Sequence, residues 1–93
     1  MNSVYDLTRD GLHDRMPDAL VAAMDRVELA LTQECSVLAA GGDPRGALPS
    51  AVARRSGESL TDTRVFLNRL VDMGAATRHA GTARTARYRA VKS

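Results

Sequence analysis

Residues 67–91 read LNRLVDMGAATRHAGTARTARYRAV, and two patterns meet inside them. Leu67, Leu70 and Val71 recur three and four apart, the period of a helix with one buried face. At Gly74 that pattern stops. The residues from Ala75 to Val91 hold four arginines, one histidine and no acid. At their end Ala86, Tyr88 and Ala90 alternate with Arg87, Arg89 and Val91, the two-residue period of a strand. Glycine commonly ends a helix by turning left-handed. The stretch therefore predicts a helix that hands over to a two-stranded ribbon spanning 75–91, with a loop around Gly81 and arginines on its outward side.

Working upstream, Ser59 stands three residues before Asp62, a capping-box-like spacing that predicts a helix over 59–73. At 100° per residue, Leu60, Thr63, Leu67, Leu70, Val71 and Gly74 share its inward face, with Phe66 and Met73 at the border. Thr61, Val65, Asn68, Arg69 and Asp72 face away, and Arg64 lies at the flank. Before it, LPSAVARRSG predicts a short helix over 48–57, with Pro49 in the first turn and Gly57 as the stop.

A longer helix is expected over 17–40, from Pro17 and Asp18 to the breaker GGDPRG. Leu20, Met24, Val27, Leu31 and Leu38 form its apolar stripe, whose first half has the 4-3-4 spacing of a coiled-coil seam. Such a helix is about 34 Å long, more than a small body of helices covers. Either the arm 1–16 folds back over the uncovered end or, as the sharper expectation, a second copy covers it in a homodimer joined through Leu20, Met24, Val27 and Leu31. Residues 1–16 lack sustained periodicity and are expected to form a partly ordered arm beside the 17–93 domain.

Composition narrows the classes. The chain has 93 residues, of which 44% are apolar, with one Phe, two Tyr and no Trp. A core of Leu, Val, Met and Ala favours packed helices over a sandwich, so the expected fold is mainly α with a small β-hairpin. The charged opening residues and the lack of a run of eighteen apolar residues predict a soluble, cytoplasmic protein with no membrane partner. Cys35 is the single cysteine, which excludes an intramolecular disulfide; its place beside Leu31 and Leu38 suggests a buried apolar role. His13 and His79 are the two histidines, and no nucleophile, base and acid stand together, so no enzyme and no cofactor are expected. The charge is uneven. Residues 1–47 carry eight acids and four bases, whereas residues 48–93 carry nine bases and three acids. A polyanion would sit on the second half.

The order of helix, short helix, longer helix and basic hairpin resembles the winged helix-turn-helix fold of bacterial MarR-, ArsR- and PadR-type regulators. SVLAAGG, LPSAVARRSG, ESLTDTRVFLNRLVDMGAATR and RYRAV carry the resemblance between Val37 and Val91. It implies a transcription regulator that lays helix 59–73 in the major groove of double-stranded DNA and its wing on the backbone or the minor groove. Carried over residue by residue, Asn68 pairs with adenine, Arg64 or Arg69 with guanine, and Val65 touches a thymine methyl. Thr61, Thr63, Arg54 and Arg55 hold phosphates, and Arg78, His79, Thr82, Arg84 and Arg87 act from the wing, with Arg89 and Thr85 beside them. A dimer would meet an inverted repeat. The family's metal-binding cysteines and histidines are absent. The same scaffold also serves as an adaptor for a protein partner without touching DNA.

Overall fold

The computed structural model describes residues 17–79 and 86–91. It contains three helices and an antiparallel pair of strands: α1 (Pro17–Ala40), α2 (Pro49–Ser56), α3 (Leu60–Asp72), β1 (Ala76–His79) and β2 (Arg87–Ala90). The predicted arm at 1–16 and the predicted loop around Gly81 lie outside the described residues.

Local chemistry sets each boundary. α1 ends where Gly42 turns left-handed at φ 90°: the Gly42 N–H donates to the Ala39 carbonyl and the Asp43 N–H to the Leu38 carbonyl, which satisfies two orphan carbonyls of the last turn. α2 starts at Pro49 and stops at left-handed Gly57, whose N–H donates to the Ala53 carbonyl. α3 is capped by Ser59, whose Oγ accepts from the Asp62 N–H at 3.1 Å. Its other end repeats the motif of α1, with Gly74 at φ 78° and the Ala75 N–H on the Leu70 carbonyl.

The core forms where α1 packs on α2, α3 and β2, and α3 packs on α2 and β1. Leu20, Ala23, Met24, Val27, Ala30 and Leu31 come from α1, Val52 from α2, and Phe66, Leu67 and Leu70 from α3; Ala47, Ala76, Ala86 and Tyr88 close it. Burying each of the large side chains is worth about 1.5–3 kcal/mol. Two expectations change here. The seam assigned to dimerisation is spent within one chain: Leu20, Val27 and Leu31 are fully buried and Met24 nearly so, so none is available to a second copy. On α3 the buried face is turned from the expected one, with Phe66 at its centre while Leu60 and Met73 are exposed. The helix faces α1, α2 and β1 together, and a face drawn from a single stripe misplaces residues at both edges.

β1 and β2 pair with Ala76 opposite Ala90 and Arg78 opposite Tyr88. A third segment joins the sheet on the other side of β2. Ala47, between α1 and α2, exchanges both main-chain bonds with Tyr88, at 2.8 and 2.9 Å. The approach is close enough to dictate Gly46. A Cβ there would stand 2.6 Å from the Tyr88 carbonyl oxygen, and the backbone is left-handed at φ 104°. By contrast Gly57 has open space around its Cβ position. Gly46→Ala is therefore expected to lose at least about 2 kcal/mol in urea unfolding, against about 1 kcal/mol for Gly57→Ala, which meets only left-handed strain.

Before Gly46 the chain is held by one acid. Both Asp43 carboxylate oxygens accept from the Arg45 guanidinium, and the Arg45 N–H adds a third bond. The Arg45 side chain, then its N–H, hold the Asp43 carboxyl down to about 2, against an ordinary 3.8. Because the folded-state value is lowered, the contribution of this carboxylate to stability is complete above pH about 4 and is lost as the pH falls toward 2. The stability gap between the wild type and Asp43→Asn, followed by denaturation at several pH values, is expected to be widest above pH about 4 and to close below it.

Candidate nucleic-acid interface

Acids and bases of the two halves meet in the folded chain and sort the arginines. Arg26 Nη2 lies 2.7 Å from Glu58 Oε2, Arg55 Nε 2.9 Å from Glu34 Oε1, Arg45 Nε 2.9 Å from Asp43 Oδ1, and Arg69 Nη1 3.6 Å from Asp72 Oδ2. Arg54, Arg64, Arg78, Arg87 and Arg89 form no ion pair with a described residue. All five lie on α2, α3 and the hairpin. Glu34 of α1 and Asp43 of its following loop are used on other arginines.

The proposed DNA contacts fare differently on α3. Thr61 is exposed in the first turn, where free backbone N–H groups favour an anion. Thr63 is fully buried and its hydroxyl has no hydrogen-bond partner, so it is a core residue and reaches no phosphate. Arg69 was expected to face outward for guanine, but its side chain is only 12% exposed. Arg64 is half-buried, and Val65 is half-buried and packs against the core. Asn68 is exposed, as base contact requires, yet its Oδ1 already accepts from the Tyr88 hydroxyl at 2.7 Å.

On α2, Arg54 is exposed and unpaired among the described residues, while Arg55 is engaged by Glu34. The hairpin divides its bases between two faces. Opposite residues of an antiparallel pair lie on the same side, so the register puts Arg78 with Tyr88, the side that meets α3, and puts Arg87 and Arg89 with His79 and Thr77 on the other. Arg87 Nη1 donates to the Gly46 carbonyl at 3.0 Å, and His79 Nε2 lies 2.9 Å from Thr77 Oγ1. The arginines of this ribbon thus do not form the single outward row that alternation alone suggested. Thr82 and Arg84 lie outside the described residues. What the structure brings together is Thr61, Arg64 and Asn68 on one face of α3, with Tyr88 bonded to Asn68 and Arg78 opposite Tyr88 in the sheet; Arg54 lies apart, beside Glu34 and Arg55.

Tyr88 is the residue that sequence reasoning passed over. It is buried, and a buried phenol needs a partner for its hydroxyl. That rule, applied to a tyrosine placed inward between two alanines, was the available signal; the identity of the partner, twenty residues away, was not.

Comparison with known proteins finds no family model, no curated protein and no solved structure that matches the chain. Among the described residues no group of His, Cys, Asp and Glu is placed to hold a metal ion, and no helix is long and apolar enough to cross a membrane.

The Asn68–Tyr88 bond has a measurable consequence for stability. Asn68→Ala leaves a buried hydroxyl unpaired and is expected to cost about 1–2 kcal/mol. In a Tyr88→Phe background the same change is expected to cost a few tenths at most, so a double-mutant cycle by urea denaturation should return a coupling of about 1 kcal/mol.

Proposed function

We propose that the chain is a winged-helix module that binds double-stranded DNA and serves as a cytoplasmic transcription regulator. α3 acts as the recognition helix in the major groove and the β1–β2 hairpin as the wing. The observation that carries the reading is the sorting of charge. Arg54, Arg64 and Arg78, on three elements around α3, have no acid partner among the described residues, whereas the arginines nearest the acidic half do. Unneutralised guanidinium groups gathered on one half of a small domain are what a phosphate backbone binds, through release of its condensed counterions.

The topology supports the same reading. Ala47, between α1 and α2, pairs with Tyr88 of the last strand, which ties the hairpin to the helices instead of leaving it to project freely. Ser59 takes the Asp62 N–H on its Oγ and the Thr63 N–H on its carbonyl, so of the first turn the N–H groups of Leu60 and Thr61 lack a helical partner, beside the exposed Thr61 side chain. A homodimer through Leu20, Met24, Val27 and Leu31 is no part of this function, because these side chains are core.

One observation favours a protein partner instead. Met73 and Val91 are both about half exposed, and the Val91 N–H on the Ala75 carbonyl sets them at the same end of the hairpin. A partner docking there would bury apolar surface and need no DNA.

Salt separates the two. A duplex contact made by Arg54, Arg64, Arg78 and neighbouring donors should give a plot of log K against log salt with a slope of about −3 to −4, and Arg78→Ala should make it shallower by about 0.9. A slope near zero for the wild type on duplex DNA would remove the DNA reading and leave the adaptor.

A further inference from the structure

We propose that Tyr88 sets which base Asn68 reads, turning an adenine-type side chain into one that selects guanine. The proposal rests on the DNA reading above, with α3 in the major groove. Asparagine recognises adenine with both ends of its amide: Oδ1 accepts from the base N6 amino group while Nδ2 donates to N7. In this protein the accepting end is already held. The Tyr88 hydroxyl donates to Asn68 Oδ1 at 2.7 Å, and the Tyr88 ring that carries it is buried.

The direction of that bond follows from the chemistry of the groups. A phenol is a better donor than acceptor, and the amide carbonyl is the better acceptor of the two amide ends, so Oδ1 turns toward Tyr88 and Nδ2 away from it. The ring has little freedom to release the amide. Its main chain is fixed on both flanks, by Ala47 on one side and by the pairing with Arg78 on the other. Asn68 remains exposed, so what it offers to a base edge is an NH2 group with two donors.

Each base answers that group differently in the major groove. Guanine presents two adjacent acceptors, O6 and N7, and meets both hydrogens of the NH2. Thymine presents the single acceptor O4. Cytosine presents only an amino group, donor against donor, and adenine presents the single acceptor N7 beside an amino group that opposes the second hydrogen. Guanine is preferred, thymine and adenine each offer one acceptor and come second, and cytosine is rejected. Of the two arginines assigned to guanine by resemblance, Arg69 is largely buried and Arg64 is half-buried, so Asn68 is the exposed one of the three base-reading candidates. The specificity-determining pair is then Asn68 with Tyr88, the first touching the base and the second positioning it.

The test is selection of bound fragments from a random duplex pool by the wild type, Tyr88→Phe and Asn68→Ala, each checked for a folded far-UV spectrum. The wild type is expected to enrich guanine at one position by about five- to tenfold over adenine. Asn68→Ala loses that preference while keeping the salt slope, and Tyr88→Phe frees Oδ1 and moves the preference toward adenine. A second arm uses the wild type alone. Replacing the selected guanine with 7-deazaguanine, which lacks the N7 acceptor, should weaken binding by about fivefold or more. Adenine enriched by the wild type, or an unchanged preference in folded Tyr88→Phe, would overturn the proposal while leaving DNA binding intact. Failure of the wild type to bind duplex DNA with a salt slope would overturn both.

Discussion

The fold depends on the way one tyrosine is held. Tyr88 exchanges two main-chain hydrogen bonds with Ala47 and sends its hydroxyl to Asn68, and its carbonyl also accepts from the Cys35 thiol at 3.5 Å. Two strands of four residues do not make a stable ribbon by themselves in water. Here β2 is flanked on both edges and its inward side chain is buried against the helices, so the ribbon becomes part of the core. Gly46 is the geometric condition for this, since only a residue without Cβ lets the preceding loop approach the Tyr88 carbonyl. The thiol bond explains why Cys35 is half-buried and not fully inside as its sequence neighbours suggested: it sits where α1 meets the strand.

That joint also fixes the electrostatics. With β2 anchored, Arg87 is drawn to the Gly46 carbonyl and Arg78 shares the side of Tyr88. Meanwhile Glu34, Asp43 and Glu58 engage Arg55, Arg45 and Arg26. These pairs are partly exposed, and their direct contribution to stability is small. Their larger effect is on what they leave over: a half of the molecule whose remaining arginines have no intramolecular acid among the described residues. Tyr88 thus links packing to charge placement and, through Asn68, to the polarity of the surface a duplex would meet.

The helices were legible because their ends carry chemistry that acts locally. Pro49 with Gly57, Ser59 with Asp62, and Gly74 each mark a boundary within a few residues of the groups they satisfy. The hairpin was legible from alternation, with its glycine-ended helix before it. What was not legible depends on residues far apart in the chain. The Leu20–Leu31 stripe looked uncovered because nothing in sequence tells how much of a helix the rest of the chain buries. Phe66 moved from the border to the centre of the buried face, Arg69 turned inward and Leu60 outward because α3 packs on three elements at once, so its buried arc is wider and turned. The Arg55–Glu34 and Arg26–Glu58 pairs and the Tyr88–Asn68 bond join positions twenty or more residues apart, and residue type alone does not choose among so many possible partners. For the candidate site this meant that exposure of Arg54, Thr61 and Asn68 agreed with the helical period, while the side of the sheet that Arg78 takes and the hydrogen bonds that define what these groups offer did not follow from periodicity.

Amide hydrogen exchange of Ala47 and Tyr88, compared with Leu67 and Leu70 in the same sample, measures whether the joint and α3 are one unit. If β2 is locked into the core as described, all four amides exchange with the same free energy, that of global unfolding, and lose protection together in Gly46→Ala. Exchange of Ala47 and Tyr88 through a lower-energy local opening, with Leu67 and Leu70 still protected, would mean that the hairpin moves apart from α3, and the surface argued here would not exist as a fixed arrangement.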